Sequence, residues 1–442
     1  MNNIQNNSIE LPEGFLYGVA TAAYQIEGAA NKDGRGRSIW DDFSHTSGKV
    51  VNNDNGDVAC DHYNRLQSDL DLIKTLNVGA YRFSFSWPRI LPEGIGAIND
   101  TGLDFYDRLI DGCLERDLKP FATLYHWDLP SALQQNGGWT HRETAHAFAQ
   151  YAGIIAEKFG DRLDSLTTFN EPWCSSILGY LVGIHAPGLK DLDQTLKAIH
   201  YQHLGHGLAV EKIRSIKPNL SVGIVLNLQS IYAGSDSAAD QDAAVRHEVF
   251  NNGVFLDPLF NGQYPSAFVE ALGDKLPKDW QNDLAQIHQP LDYWGLNYYT
   301  PARVSAQAPQ DPQCDSTDIG WEINASTLED LLVKTYKHYT LPPCYITENG
   351  ACFNDEPESG VVNDDRRVSY LYNHITAVAN TCKSGVPVKG YFAWSLMDNF
   401  EWAEGYSMRF GLVHVDYQTQ VRTIKQSGHW FAQLASCTNQ GR

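Results

Sequence analysis

Short apolar runs alternate with longer amphipathic segments along almost the whole chain. The runs are rich in aromatic and β-branched residues and are nearly continuously apolar, as expected for strands buried on both faces of a parallel sheet. Eight strands are predicted on this basis, at residues 15–20, 79–86, 119–125, 165–169, 221–226, 293–298, 344–347 and 389–395.

The segments between these runs predict helices. Apolar residues recur at helical spacing over residues 57–76, 101–117, 194–216, 240–252, 327–338 and 364–383. A further helix follows residue 140, where Phe148, Tyr151 and Phe159 belong to one apolar stripe. Thr140 and Glu143 have the spacing of a capping box at its start.

Strands and helices in this alternation predict an α/β fold, and eight strands is the number that closes a (β/α)8 TIM barrel. No Pro/Ser-rich linker divides the chain, so we predict a single catalytic domain over residues 11–442. Residues 1–10 are predicted to form a disordered or extended tail. Long loops at about 40–57, 171–193, 302–326 and 350–365 follow strand ends, where the active site of such a barrel is built.

Composition excludes several classes of function. With 33 basic and 53 acidic residues among 442, the net charge of −20 argues against nucleic acid and anionic membranes as partners. The start of the chain has no apolar signal region, and no run of about 18 apolar residues occurs. The 8 cysteines show neither a CxxC pair nor a zinc spacing. We therefore expect a cytoplasmic protein with free thiols, no metal and no cofactor.

Two glutamates stand at the ends of predicted strands. Glu171 precedes Pro172 after the fourth strand, and Glu348 begins a Glu-Asn-Gly sequence after the seventh. A charge at the end of an apolar strand is costly unless it is paired or used in chemistry. A structural ion pair explains either carboxylate alone equally well, but two carboxylates on one rim favour catalysis.

The sequences around both glutamates resemble those of glycoside hydrolase family 1. The resemblance covers nearly the whole chain, and its motifs are Thr-Phe-Asn-Glu-Pro at residues 168–172, Ile-Thr-Glu-Asn-Gly at 346–350 and Trp-Ser-Leu-Met-Asp-Asn-Phe-Glu-Trp at 394–402. It implies that Glu171 is the acid/base and Glu348 the nucleophile of a retaining enzyme. Burial and the charge of Glu348 should then raise the pKa of Glu171, so that it is able to protonate the leaving oxygen.

The resemblance also implies supporting residues. Arg82 would keep Glu348 ionised, although a structural ion pair fits its apolar setting almost equally well. Tyr299 would orient the nucleophile, Asn297 would support the two carboxylates, and Asn170 would bind the sugar 2-hydroxyl. The implied sugar-binding residues are Gln25, His126, Trp127, Asn170, Trp394, Glu401, Trp402 and Phe410, with Trp173 and Trp321 on the aglycone side. For His126 and Phe410, packing in the core is the alternative.

Glu401 narrows the expected substrate. Phosphoglycosidases of the family carry a small hydroxyl residue at this position and a lysine nearby, whereas this chain has Glu401 and Met408. A carboxylate would repel a 6-phosphate, so phosphorylated sugars are disfavoured. Loop position suggests that Cys174 lies at the pocket entrance. The histidines between residues 200 and 206 lie at helical spacing, which favours packing over a metal site.

We therefore predict an exo-acting β-glucosidase of carbohydrate metabolism and cellulose degradation. Its partner would be a small-molecule β-glycoside, including β-galactosides, β-fucosides and cello-oligosaccharides. A transglycosidase would use the same glutamates while keeping water away, and sequence leaves that alternative open. A non-catalytic sugar-binding relative should have lost one carboxylate, whereas this chain keeps both Glu171 and Glu348. The oligomeric state is not predicted.

Overall fold

A computed structural model describes residues 9–307 and 314–439. Eight parallel strands form a closed barrel in the order β1-β8-β7-β6-β5-β4-β3-β2. They are β1 (Leu16–Ala20), β2 (Ala80–Ser84), β3 (Lys119–Tyr125), β4 (Ser165–Asn170), β5 (Val222–Asn227), β6 (Tyr293–Asn297), β7 (Cys344–Asn349) and β8 (Val388–Ala393). The predicted (β/α)8 TIM barrel is confirmed. The predicted tail falls mainly on residues 1–8, which lie outside the described residues.

A long helix follows each strand and covers the outside of the barrel. These helices are α1 (His62–Thr75), α2 (Asp100–Leu114), α3 (Arg142–Phe159), α4 (Leu192–Ile216), α5 (Ala238–Glu248), α6 (Ser326–His338), α7 (Asp365–Lys383) and α8 (Gln426–Asn439). Shorter helices occupy Ala23–Ile26, Ile39–Ser44, Trp87–Ile90, Ser131–Gln135, Val254–Phe260, Ser266–Leu272 and Leu284–Ile287. In α3, Phe148, Tyr151 and Phe159 are all buried, as their spacing predicts. Helix α3 thus contributes one apolar stripe to the core.

Aromatic side chains fill the interior of the barrel. Phe121 of β3 contacts Phe392 of β8 with ring centroids 5.0 Å apart, although β1 and β2 separate these strands around the wall. The contact therefore crosses the interior. The same apolar cluster continues to Trp394 and Phe410, beyond the end of β8. This packing fills the barrel below its C-terminal mouth. The barrel therefore contains a pocket rather than a channel.

The predicted capping box at Thr140 and Glu143 is wrong. Helix α3 has no side-chain cap, and the Thr140 hydroxyl instead donates to the Gly137 carbonyl at 2.8 Å. The hydroxyl closes the preceding turn and is therefore not free to cap the helix. A complete capping box occurs elsewhere: Ser38 caps the helix Ile39–Ser44, which extends into the predicted loop 40–57.

Two more of the predicted loops contain secondary structure. The loop after β4 holds a π-helix at Cys174–Val182, a rare form that is frequent at functional sites. The loop after β6 begins with a short strand, Ala302–Val304, which pairs with Ile231–Ala233 of the loop after β5. A hairpin of Val413–Val415 and Arg422–Ile424 follows β8. Across residues 9–307 and 314–439, no helix combines the length and the apolar character needed to cross a membrane.

Candidate active site

Glu171 is the first residue beyond β4, and its backbone adopts the left-handed conformation with φ +48°. This conformation is uncommon for a residue with a side chain and is concentrated at functional sites. Its amide still donates to the Val225 carbonyl of β5 at 2.9 Å, which continues the sheet by one residue. The chain therefore turns only after the last hydrogen bond between β4 and β5. The Glu171 side chain lines the cavity at the barrel mouth.

Glu348 lies within β7 and has a strong donor on each carboxylate oxygen. Arg82 Nη1 donates to its Oε1 at 2.6 Å, and the Tyr299 hydroxyl donates to its Oε2 at 2.6 Å. Arg82 and Glu348 are only 2% and 3% exposed. Because the ion pair is dry and hydrogen-bonded on both sides, it is strong and geometrically fixed.

Two side-chain amides connect the carboxylates. Asn297 Nδ2 donates to Glu171 Oε1 at 2.5 Å and to Asn170 Oδ1 at 3.0 Å. The Thr347 hydroxyl donates to Asn297 Oδ1 at 2.7 Å, which turns the amide nitrogen towards Glu171. Arg82 Nη2 donates to Asn170 Oδ1 at 2.6 Å. The predicted supporting residues therefore form one network around the two glutamates.

The two carboxylates have different electrostatic surroundings. Burial, followed by the charge of Glu348, raises the pKa of Glu171 to about 7, and its Asn297 and Cys174 hydrogen bonds oppose the rise. Burial also raises the pKa of Glu348, but Arg82 and Tyr299 oppose that rise. Since only Glu348 is paired with a cation, the negative charge of the pair resides on Glu348. Two carboxyl groups with such different environments suit separate acid and nucleophile roles.

His126 lies beside Asn170 at one side of the cavity. Asn170 Nδ2 donates to His126 Nε2 at 3.0 Å, so the ring carries its proton on Nδ1. Burial and the charge of Arg82 lower the pKa of His126 well below its usual range, which keeps the ring neutral. Among the described residues, Nδ1 of this buried ring has no partner. It is therefore a donor available to a ligand in the cavity.

Glu401 lines the cavity, and Gln25 lies directly behind it. Gln25 Nε2 donates to the Phe400 carbonyl at 2.9 Å and lies 3.4 Å from Glu401 Oε2. Burial and then the charges of Glu348 and Glu171 raise the pKa of Glu401 to about 8. The expected repulsion of a 6-phosphate by a charged Glu401 is therefore weak at neutral pH. The feature that disfavours a phosphate is instead the lack of Lys or Arg among the described residues that line the cavity.

Aromatic rings form the cavity walls. Trp402 packs against Trp127 with centroids 4.5 Å apart, and Trp394 stacks on His126 at 5.9 Å with the planes 22° apart. The Trp127 indole N–H donates to the Asn170 carbonyl at 2.9 Å, so Trp127 offers a ligand its ring but not its N–H. The predicted residues Phe410 and Trp321 also line the cavity, with ring centroids 5.9 Å apart, as does Trp173.

The cavity has a volume of about 430 Å³ and is lined by most of the predicted site residues. Gln25, Arg82 and Asn170 do not line it but hydrogen-bond to residues that do. Further residues line the cavity that were not predicted: Ile184, Asn227, Leu228, Gln229, Asn251, Thr300, Ile319, Ala403 and Glu404. Only Asn227 had a usable signal, because it is a polar residue at the end of β5.

The histidines of α4 are structural. His200 contacts Asp283 at 3.0 Å, His203 contacts Tyr264, and His206 contacts Thr168. In the described part of the chain, no group of three or more histidine, cysteine or acidic side chains is arranged to hold a metal ion. The hydrogen-bond partners of these histidines are consistent with the packing interpretation.

Comparison with known proteins connects this site to one family. A sequence model of glycosyl hydrolase family 1 matches residues 7–440. The chain is 55% identical to a β-glucosidase of an Agrobacterium species, over 96% of this chain and 95% of that protein. It is 48% identical to β-glucosidase A of Thermotoga maritima, over 97% and 98%. The solved structure of the virulence factor SghA with its substrate analog salicin superposes with a TM-score of 0.96 at 54% identity, covering 99% of this chain and 98% of that one.

Proposed function

The chain belongs to glycosyl hydrolase family 1, and we propose that it is a retaining β-glucosidase acting on terminal, non-reducing β-D-glucosyl residues. One observation supports this most directly: a single cavity holds two buried carboxylates, of which Glu348 is paired with a guanidinium and Glu171 is not. This difference provides one charged nucleophile and one protonated acid at the same pH.

In the proposed first step, Glu348 attacks the anomeric carbon while Glu171 transfers its proton to the glycosidic oxygen. The bond from that oxygen to the anomeric carbon breaks, and the aglycone leaves as an alcohol. Arg82 and Tyr299 orient the attacking carboxylate through their bonds to Glu348. The pKa of Glu171, about 7, keeps much of the acid form present near neutrality.

In the proposed second step, Glu171 removes a proton from water, and the water oxygen displaces Glu348 from the sugar. The glycosyl ester carries no charge, so the repulsion that raises the pKa of Glu171 is absent from the intermediate. Glu171 therefore changes from acid to base when a base is needed. The double displacement returns both carboxyl groups to their starting protonation states.

The retaining stereochemistry is proposed from the family to which the chain belongs. A short chain of hydrogen bonds joins the two carboxyl groups: Asn297 donates to Glu171 Oε1 at 2.5 Å and to Asn170 Oδ1 at 3.0 Å, and Asn170 Oδ1 also accepts from Arg82, the partner of Glu348. We expect the separation of the two carboxyl groups to be that of a retaining enzyme. Retaining glycosidases need about 5–5.5 Å, whereas inverting enzymes leave about 6.5–9.5 Å for a water molecule.

We propose that the glucosyl ring stacks on Trp394, with its hydroxyls bonded by Gln25, His126, Asn170 and Glu401. Gln25 Oε1 and His126 Nδ1 have no partner among the described residues, so they offer an acceptor and a donor. Trp402 and Phe410 would close the glucose pocket, and Trp173 and Trp321 would contact the aglycone. The aromatic outer wall suits aryl aglycones, and the related SghA was solved with the glucoside analog salicin.

We also propose a wider substrate range and a cytoplasmic setting. β-Galactosides, β-fucosides and cello-oligosaccharides should be accepted, whereas 6-phosphoglucosides should not, because no cation is available among the described lining residues. The eight cysteines are free thiols, which suits a reducing compartment. Residues 11–442 would act as one catalytic domain without a cofactor. The transglycosidase alternative is not favoured, since the similar relatives are named as β-glucosidases.

An activated 2-deoxy-2-fluoro-β-glucoside tests the nucleophile directly. The fluorine slows breakdown of the glycosyl-enzyme, so the protein should gain the mass of one fluorosugar, located on the peptide that contains Glu348. Peptide mass spectrometry measures both. A label on another residue, or no label while the enzyme hydrolyses an ordinary aryl glucoside, would refute the assignment.

A series of leaving groups tests Glu171. Glu171→Gln should retain attack on 2,4-dinitrophenyl β-glucoside, whose leaving group needs no proton, and should lose activity on alkyl glucosides and cellobiose. An equal loss on every substrate would argue against an acid role. Added azide should restore turnover of the activated glucoside by replacing the water that Glu171 would otherwise deprotonate.

A further inference from the structure

A thiol that lines the cavity contacts the proposed acid/base. Cys174 is the first residue of the π-helix Cys174–Val182, is 7% exposed and lines the cavity. Its Sγ lies 3.0 Å from Glu171 Oε2, the oxygen that Asn297 does not contact. The amide nitrogen of Asn227, at the end of β5, lies 3.5 Å from the same sulfur.

The directions of these hydrogen bonds follow from the groups involved. Burial, together with the charges of Glu171 and Glu348, raises the pKa of Cys174 well above its usual range, so the group remains a thiol. A thiol has one proton to donate, and a carboxylate only accepts. The Asn227 amide donates to the sulfur, and the sulfur donates to Glu171. β5 is thereby connected through Cys174 to the reacting carboxyl group.

We propose that Cys174, held by Asn227, is a positioning residue that stabilises the ionised form of Glu171 and so sets the pH range of both catalytic steps. This inference rests on the proposed acid/base role of Glu171. The thiol and the Asn297 amide together supply one donor to each oxygen of the ionised carboxylate. When Glu171 carries its proton, one of these donors is no longer needed.

The weakness of a thiol donor suits a group that must change protonation state twice in each cycle. A cation at this position would hold Glu171 ionised and remove the acid required in the first step. An apolar side chain would leave Oε2 without a donor and make the base required in the second step costly to form. A neutral, weak donor lies between these extremes and permits both states.

Other groups also determine how Glu171 titrates, and the proposed contribution of Cys174 adds to theirs. The charged and titratable groups that face Glu171 are Glu348 on β7, Arg82 on β2, Tyr299 after β6, Glu401 in the loop after β8, and Cys174 itself. Replacing Cys174 leaves the other four groups in place. A change in the titration of Glu171 in such a variant therefore reports the lost thiol.

The test compares Cys174→Ala with Cys174→Ser, and uses Cys113→Ala as a matched control. Cys113 is a buried thiol on α2, outside the cavity lining. The pH profile of kcat/KM for an aryl glucoside gives the pKa of Glu171 in the free enzyme from its alkaline limb. In Cys174→Ala that limb should move up by roughly 0.5–1 pH unit, because a donor to the ionised form is lost.

The serine variant restores a donor, so its alkaline limb should lie at or below the wild-type position. The acid limb of kcat, measured with 2,4-dinitrophenyl β-glucoside so that breakdown of the glycosyl-enzyme limits the rate, reports Glu171 as the base. In Cys174→Ala this acid limb of kcat should move to higher pH, as should the alkaline limb of kcat/KM. Cys113→Ala should leave both limbs unchanged, since it removes only core packing.

Several results would overturn the proposal. If Cys174→Ala and Cys174→Ser give identical limbs, or if both change only the height of the profile, Cys174 is a packing residue. If Cys174→Ala does not fold, Cys174→Ser and Asn227→Ala are compared with the wild type instead. The quantity compared is again the pH at which each limb of the profile lies. Labelling of Glu348 by the fluorosugar should occur in every folded variant, so failure of this inference is distinguishable from failure of the proposed function.

Discussion

Replacing Glu171 with glutamine is expected to stabilise the folded protein at alkaline pH while it removes the proposed acid/base. Burial and the charge of Glu348 raise the pKa of Glu171 from 4.5 to about 7. Between these values the folded state keeps a proton that the unfolded chain releases. Unfolding therefore becomes easier as the pH rises through this window. Above it, the wild-type protein carries the full cost of a buried charge that the neutral glutamine avoids.

The size of the effect follows from the difference between the two pKa values. At about 1.36 kcal/mol for each pKa unit, a pKa near 7 in place of 4.5 corresponds to about 3 kcal/mol. Glu171 is 5% exposed, so solvent screens little of this cost. For a chain of 442 residues, about 2.1 cal/mol/K of unfolding entropy per residue converts that free energy into a rise in Tm of about 3–4 °C.

Thermal unfolding of the wild type and of Glu171→Gln should be compared at pH 4.5 and pH 9. The gain in Tm should be nearly absent at pH 4.5, where the folded protein holds a protonated Glu171, and complete at pH 9. Glu157→Gln on α3 is the matched control, because its side chain is exposed and the substitution should leave Tm unchanged at both values. A pH-independent difference, or a lower Tm at pH 9, would refute the electrostatic reasoning.

Three further substitutions probe the surroundings of the glutamates. Tyr299→Phe removes the 2.6 Å hydrogen bond to Glu348 and should lower kcat by roughly 10–100-fold in a steady-state assay. The control is Tyr298→Phe, which should leave kcat unchanged because the Tyr298 hydroxyl contacts Thr327 instead. Arg82→Met breaks a buried ion pair and should lower the free energy of unfolding by about 3–5 kcal/mol, and a loss below about 1 kcal/mol in denaturant titrations would contradict this. Glu401→Ala should lower kcat/KM for a glucoside by roughly 10–100-fold but affect a 4-deoxyglucoside less, and equal losses would place Glu401 away from the 4-hydroxyl.

The barrel could be predicted from sequence because its strands are buried on both faces. Such strands appear as near-continuous apolar runs, and the first polar residue beyond a run marks the rim. Glu171 follows the last residue of β4, and Glu348 is the last residue but one of β7. The false capping box at Thr140 shows the limit of a local motif, since the same hydroxyl had a better acceptor within the preceding turn.

The network that separates the two carboxylates has no signature in any single segment. Asn297 is turned towards Glu171 by Thr347, which lies on a different strand, and Arg82 of β2 donates to Glu348 on β7 and to Asn170 on β4. Each of these bonds needs the closed barrel to bring distant strand ends together. The motifs therefore predict which residues react, whereas the proposed division into one charged and one protonated carboxyl group follows from the partners that the fold supplies. Because those partners are a guanidinium for Glu348 but an amide and a thiol for Glu171, exchanging the types of donor should exchange the ionisation order of the pair.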